Sequence, residues 1–458
     1  MITVKNKEKI IGNGVTRLDR KARAFALRSL ESALKAVDPK QLIKSRLFLK
    51  NSMLKIDMYS FDLAKFQNVY VIGGGKASGA MAEILEQFLG EYLRGGLVNI
   101  PREIEHKTEI IELHKASHPI PDESGVKGTR QMLKIAEEAR SEDLIICLIS
   151  GGGSSLMPDP RREITIDDKK EITTALLRCG ATISEINTVR KHISNFKGGW
   201  LAKKAYPATV LNLILSDVVG DPLDFIASGP TVPDTTTFSD AINVMKKYRL
   251  WKRTPESIQK VLLDGEKGLI PETPKIGDKV FEKVYNVVVG NNRSASLAAC
   301  ESLRSANLNT LLLTSTLEGE AKQVGSILAS IVHEVSASGN PIPAPSGIVI
   351  GGETTVEVTG KGMGGRNQEI ALAAALKIEG LEGVVIASMS TDGVDGPTDA
   401  AGAIADGKTI YRAAKMKMNP EDFLDDNDSY HLFSSLGDLI LTGPTGTNVN
   451  DISIIVVL

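Results

Sequence analysis

The stretch with the most chemical promise is residues 359–369, Thr-Gly-Lys-Gly-Met-Gly-Gly-Arg-Asn-Gln-Glu. Glycines at 360, 362, 364 and 365 exclude a strand or helix interior. Residues 370–376, Ile-Ala-Leu-Ala-Ala-Ala-Leu, are strong helix formers. The pattern therefore reads as a glycine loop opening a helix. Backbone N–H groups and the positive end of the helix dipole make such a junction an anion site. Arg366 falls in or just before the first turn, where a cation is unfavourable unless it collects an anion. A solvated arginine on a glycine turn is the plainer reading.

A second cation follows another glycine turn. Val69-Tyr-Val-Ile-Gly73 is a short apolar strand, and Gly74, Gly75 and Lys76 lead from it into a helix. Strand, glycine turn and helix make the phosphate cradle of doubly wound α/β folds. Two common fingerprints fail here. A mononucleotide loop needs glycine at position 70 and a hydroxyl at 77, where Tyr70 and Ala77 stand. The dinucleotide pattern needs glycine at 78, where Ser78 stands. A third loop, Ser150, Gly151, Gly152, Gly153, Ser154 and Ser155, follows the buried-strand run at 144–149. Three glycines in a row exceed the needs of a turn and suit close approach of a ligand.

Carboxylates and amides stand at similar places. Asp217 and Asp221 follow the strand at 210–215, four residues apart, which suits magnesium, a substrate hydroxyl or a turn cap. Glu353 lies in the run 347–358, which reads as a strand with a glycine bulge or turn, and Asp392 follows the strand at 384–388. Asn195 and Lys197 lie just past a helix, Asn291 after the strand at 284–289, and Asn448 in a Thr/Gly/Pro loop near the carboxyl end. His118 has no His or Cys at ligand spacing, so it reads as structural.

These loops need a scaffold that presents strand ends along one edge. At 458 residues the chain is long enough for two domains. The Pro-, Gly- and charge-rich segment 265–283 marks the boundary. Residues 19–37 form an amphipathic packing helix ended by Asp38-Pro39, and a second α/β pattern starts at Val284. The 54 basic and 56 acidic residues give no nucleic-acid footprint. Cys147, Cys179 and Cys300 form neither a disulfide framework nor a metal knuckle, and Cys147 sits in a core run. No signal-peptide core or membrane span is visible. The expectation is a cytoplasmic, globular protein.

Taken together the motifs resemble the class II glycerate kinases. They are Gly-Gly-Gly-Lys76, His118-Pro-Ile-Pro-Asp122, Ser-Gly-Gly-Gly-Ser154, Ser216-Asp-Val-Val-Gly-Asp221 and Ser228-Gly-Pro-Thr231. Gly352-Glu-Thr354, Gly-Gly-Arg366-Asn-Gln-Glu369, Ser-Thr-Asp392-Gly-Val-Asp-Gly396 and Thr445-Gly-Thr-Asn448 continue them, in family order over nearly the whole chain. The resemblance implies an α/β protein of two domains. Residues 1–270 would form a Rossmann-like, doubly wound parallel sheet, and 271–458 a smaller MOFRL-type α/β domain with a mixed sheet. It implies transfer of the γ-phosphoryl group of ATP, with Mg2+, to the 2-hydroxyl of D-glycerate.

The family's catalytic lysine and arginine map onto Lys76 and Arg366. Gly74, Gly75, Ser150, Gly151, Gly152, Ser154, Asn291 and Gly365 are then the nucleotide candidates. Ser155, Asn195, Lys197 and Asn448 are candidates for glycerate, and Asp217, Asp221, Glu353 and Asp392 for the metal. A homodimer stays open. Two other readings remain: an NADH-dependent hydroxypyruvate reductase, opposed by Ser78, and a non-catalytic phosphosugar sensor.

Overall fold

The computed structural model describes residues 2–161 and 163–458. The chain forms two compact units. One is Leu42–Val289; the other combines Met1–Gln41 with Gly290–Leu458.

The first unit opens with a small antiparallel sheet of β1 (Leu47–Lys50), β2 (Met53–Ile56) and β3 (Tyr59–Asp62). Its main sheet has β4 (Asn68–Gly74), β5 (Leu93–Pro101), β6 (Ile111–Ala116), β7 (Asp143–Ile149), β8 (Thr209–Leu215) and β9 (Val284–Gly290). The strand order is β6-β5-β4-β7-β8-β9, with β6 through β8 parallel. Every residue of β7 and β8 is buried, as expected of a parallel sheet covered on both faces. Ile72, Leu97, Met132, Ile145 and Cys147 share one core with the helices that cover the sheet. The chain runs outward in both directions from the β4/β7 pair. That is the topological switch point, where the loops after two neighbouring strands diverge and leave a crevice. A separate helical layer packs Leu176, Val189, Phe238 and Ile242 together.

The second unit holds β10 (Asn309–Leu317), β11 (Ser346–Gly352), β12 (Val384–Ser390), β13 (Gly402–Asp406), β14 (Leu439–Ile440) and β15 (Asp451–Val457). The order is β10-β11-β15-β12-β13-β14. Only the β10/β11 pair among these strands is parallel, so the sheet is mixed. The central strand β15 is buried throughout.

The N-terminal helix Arg17–Ala36 belongs to this second unit, packed on β12, β15 and the helix Asn292–Ser305. Its buried Arg23 donates from Nε to Asp406 (2.6 Å) and from both Nη atoms to Asp438 (2.8 and 2.9 Å). Meanwhile β9 is an edge strand of the first sheet. The units therefore depart from the continuous blocks 1–270 and 271–458. The stripe Ala22, Ala26, Leu30 and Leu34 must be covered by something, but periodicity does not say by which sheet. Among the described residues no helix is long and apolar enough to cross a membrane.

Candidate functional site

In the parallel-sheet unit the glycine loops interlock at the switch point. Gly75 has φ +155°, and a Cβ there would lie 2.1 Å from Ser150 Oγ. A Cβ on Gly151 would lie 2.3 Å from Asp217 Oδ2, and one on Gly152 2.8 Å from the His118 ring. Glycine is thus required because three strand-end loops meet there, and those loops bring Gly74, Gly75, Lys76, Ser150–Gly152 and Asp217 together. The Lys76 N–H donates to the Gly151 carbonyl (2.8 Å), which fixes the lysine at the entrance of the helix Ser78–Leu89. Burial, and then Lys76, hold the His118 imidazole below its usual range.

Ser150 Oγ accepts from the Ala77 N–H (3.0 Å) and lies 2.9 Å from Ser78 Oγ. Ser150 therefore staples the two loops. Ser78 occupies the buried space where a dinucleotide fold would have its third glycine. Ser155 Oγ turns back to the Gly152 carbonyl (3.0 Å). Fully buried Lys197 donates from Nζ to the Ser154 carbonyl (3.0 Å), Ser154 Oγ (3.0 Å) and the Ala227 carbonyl (3.3 Å). Ser154 Oγ continues to Ser228 Oγ (3.3 Å), which donates to Asn187 Oδ1 (3.0 Å). Ala227 and Ser228 both have φ in the left-handed region, a local strain that the Lys197 contacts hold in place. Asn195 lies apart from this loop, donating to Asp159 Oδ2 (3.1 Å) and the Pro160 carbonyl (2.9 Å). Asp221, also left-handed at φ +56°, turns the chain after β8.

In the mixed-sheet unit a cavity of about 670 Å³ is lined by Arg366, Gly365, Glu353, Asp392, Glu369 and Asn448, among others. Three candidates from separate stretches of sequence, Glu353, Asp392 and Asn448, thus line the same cavity as Gly365 and Arg366. The anion expected at the helix Arg366–Lys377 is the protein's own. Asp395 accepts from the backbone N–H of Asn367 (3.1 Å) and of Gln368 (2.9 Å), filling the helix N-terminus. Burial pushes the Asp395 carboxyl up, and these hydrogen bonds pull it back.

The glycine loop before the helix is likewise spent on its neighbours. Gly360, Lys361 and Met363 donate backbone N–H groups to Asn427, Asp426 and Asp428. A Cβ at Gly360 or Gly362 would lie 2.2 to 2.3 Å from that segment. Gly360 and Gly362 thus allow close packing on residues 426–428, and the N–H groups of Gly360, Lys361 and Met363 are spent there rather than on a ligand.

Arg366 is also engaged. It donates from Nε and Nη2 to Asp451 (2.5 and 3.1 Å) and from Nη1 to Glu353 (2.9 Å). Burial works against its charge, but the two carboxylates raise its pKa. Of the five guanidinium N–H bonds, three are thereby used, and the group still lines the cavity. Asp392 Oδ1 accepts from Ser390 Oγ (2.9 Å) and the Val394 N–H (3.0 Å), a turn cap on the cavity wall. Asn291 caps its own helix through Ser294 N–H (2.9 Å). Glu369 Oε2 and Thr354 Oγ1 are buried at the cavity without hydrogen-bond partners. Among the described residues no three His, Cys, Asp or Glu side chains gather into a metal-holding group.

Sequence reasoning missed Asp395 and Asp451, the carboxylates that organise Arg366 and its helix. Both follow or open strands in the alternating polar loops, with no spacing that ties them to Arg366. It also missed Lys169, a lysine inside the apolar stripe Ile166, Ile172 and Leu176; that misplaced charge was the available signal.

Comparison with known proteins gives these sites a family. Residues 25–263 match a domain of unknown function, and residues 346–451 match the MOFRL family. A D-glycerate 2-kinase of Thermotoga maritima is 39% identical over 94% of this chain and 97% of its own. A glycerate 2-kinase of Pyrococcus horikoshii is 41% identical over 95% and 97%. A protein of Agrobacterium vitis, provisionally named a hydroxypyruvate reductase, is 41% identical over 84% of this chain and 86% of its own. The crystal structure of the Thermotoga maritima glycerate kinase superposes with a TM-score of 0.85, at 38% identity, covering 94% of this chain and 98% of that one. The chain belongs to the MOFRL-containing family of glycerate 2-kinases.

Proposed function

We propose that the protein transfers the γ-phosphoryl group of ATP to the 2-hydroxyl of D-glycerate, giving 2-phosphoglycerate and ADP. The observation that carries this reading is the pair of glycine loops interlocked at the switch point, with Lys76 between them, in a chain that matches glycerate 2-kinases along nearly its full length. Phosphoryl transfer asks little covalent work of a protein. It asks for cations and N–H donors around the phosphates and for an aligned acceptor oxygen. Lys76 supplies a charge at a helix entrance, and Arg366 has N–H bonds left after its two carboxylates. The Ser154–Ser228–Asn187 chain offers hydroxyls to a hydroxy acid.

Magnesium is compatible with the donors present. It usually takes one or two carboxylates and completes its shell with phosphate oxygens and water. Asp217 beside the glycine loops, or Glu353 and Asp392 on the cavity wall, are the side chains that would hold it. When bound, the ion would offset the charge on the phosphates.

A reductase reading draws on the name of the Agrobacterium vitis relative. Buried Ser78 speaks against it, as does the end of β5 in Asn99-Ile100-Pro101, without the acidic residue that holds a dinucleotide ribose. A coupled assay decides between the two. ADP should form only with ATP, magnesium and D-glycerate together, and NADH should not be oxidised by hydroxypyruvate. NADH oxidation without ADP formation overturns the kinase reading.

A further inference from the structure

The helix Ile166–Arg178 turns Ile166, Lys169, Ile172 and Leu176 inward. Lys169 is only 3% exposed, and its Nζ has no hydrogen-bond partner. On the next helix, Ile183–His192, Arg190 buries its Nε without a partner while the residue itself remains half-buried. Fully buried Lys197 follows, tied to Ser154 and Ala227. The three cations repel one another. Burial and then Arg190 push Lys169 down to about 7, while burial, Lys169 and Arg190 hold Lys197 well below the ordinary lysine range.

Asp159 is the carboxylate that supports Lys169, but it already accepts from Arg130 Nε (3.0 Å) and Asn195 Nδ2 (3.1 Å). By contrast, buried Lys191 has Asp234 (3.4 Å), and buried Arg23 has Asp406 and Asp438. An uncompensated buried charge is costly, and a protein retains one where a ligand brings the counter-charge.

We propose that Lys169 and Arg190 receive the carboxylate of the acceptor substrate, a small hydroxy acid, next to Lys197 and the Ser154 loop that it holds. The identity of that acid rests on the kinase reading above. Lys197 fixes the loop, Lys169 and Arg190 provide the unspent donors, and the Ser154–Ser228 hydroxyls at Lys197 are there for the acid's hydroxyl group. A carboxylate fits this enclosed cluster better than a nucleotide phosphate, which arrives with its own magnesium.

The test is calorimetric titration of D-glycerate, glycerol and ADP into the full-length wild type, Lys169→Met and Arg190→Gln, with steady-state kinetics and thermal midpoints alongside. D-glycerate should bind the wild type far more tightly than glycerol, which has the same skeleton without the carboxylate. Each variant should weaken D-glycerate at least about tenfold and raise its KM more than it lowers kcat, with ADP binding unchanged. Lys169→Met should also raise the thermal midpoint, since it removes an unpaired buried charge. A merely structural lysine would lower it. Unchanged D-glycerate binding in both variants overturns the proposal, and so does a loss confined to ADP. If Lys169→Met fails to fold, that too counts against an unpaired charge, and half-buried Arg190→Gln still reads the binding. Wild type that binds D-glycerate through this cluster but transfers no phosphate would sink the kinase reading and leave this one standing. Phosphorylation with unaltered KM in both variants would do the reverse.

Discussion

The two units differ in how fully their buried and half-buried cations are matched: the parallel-sheet unit pairs Lys191 with Asp234 but leaves others without a carboxylate. In the mixed-sheet unit Arg23 is matched by Asp406 and Asp438, and Arg366 by Asp451 and Glu353. In the parallel-sheet unit Lys169 and Arg190 keep buried nitrogens that no protein group satisfies. Matched charges specify a structure: they lock a helix or a loop and need nothing from outside. Unmatched ones describe a complex that is incomplete without an anion. Glycines divide the same way. Gly75 and Gly151 let strand-end loops close around Lys76, whereas Gly360 and Gly362 let a loop pack on Asp426–Asp428. A glycine-rich motif beside a cation therefore says little until the carboxylates around it are known.

That contrast is open to breakage, beginning with its strongest arm. Arg23→Ala should cost about 3–5 kcal/mol of stability by stranding two buried carboxylates, while the folded fraction keeps its kcat. Chemical denaturation with active-site titration reads both, and a loss under about 1 kcal/mol would mean the ion network contributes little. Arg366→Ala should fall in both respects. Activity should drop by on the order of 10²-fold, and stability should drop too, because Asp451 is left buried without its partner. Lys76→Ala should lose about as much activity with its thermal midpoint nearly intact. Equal stability losses in the two variants would erase the distinction drawn between them.

A smaller effect follows from pH. Lys169 is pushed down to about 7 in the folded chain against an ordinary lysine value of 10.5, with Arg190, Lys197 and Asp159 as its charged neighbours. Between those values the unfolded chain binds the extra proton, so ligand-free stability should rise with pH across that window. The thermal midpoint measured from pH 7 to 9 should climb in the wild type relative to Lys169→Met; parallel curves would contradict this. Least of all, Asp395→Asn should cost about 1 kcal/mol as a weakened helix cap, measured by the same denaturation curves.

Much of this was legible in the chain itself. The runs at 144–149 and 210–215 announced buried parallel strands, and glycine turns after strand ends pointed to the crevice. Neither the ownership of the helix Arg17–Ala36 nor that of β9 was legible, because an apolar stripe does not name its partner. Of the candidate site residues, Lys76, Ser154 and Lys197 lie in one loop system, and Arg366, Glu353, Asp392 and Asn448 line one cavity. What stayed hidden were the long-range partners. Asp451 lies 85 residues from Arg366 and Asp395 lies 28 from Asn367, separations that only the sheet order makes short. Asn195 and Asn291, chosen as amides near strand or helix ends, are engaged in local structure.

The central claim is phosphoryl transfer to one particular oxygen of D-glycerate. Phosphorus and carbon NMR of the product formed from ATP, magnesium and carbon-labelled D-glycerate tests it directly. The account predicts a single phosphate ester on carbon 2, formed by the wild type and slowed by on the order of 10²-fold in Lys76→Ala. An ester on carbon 3, or a Lys76→Ala protein that makes the same product at the wild-type rate, would contradict it.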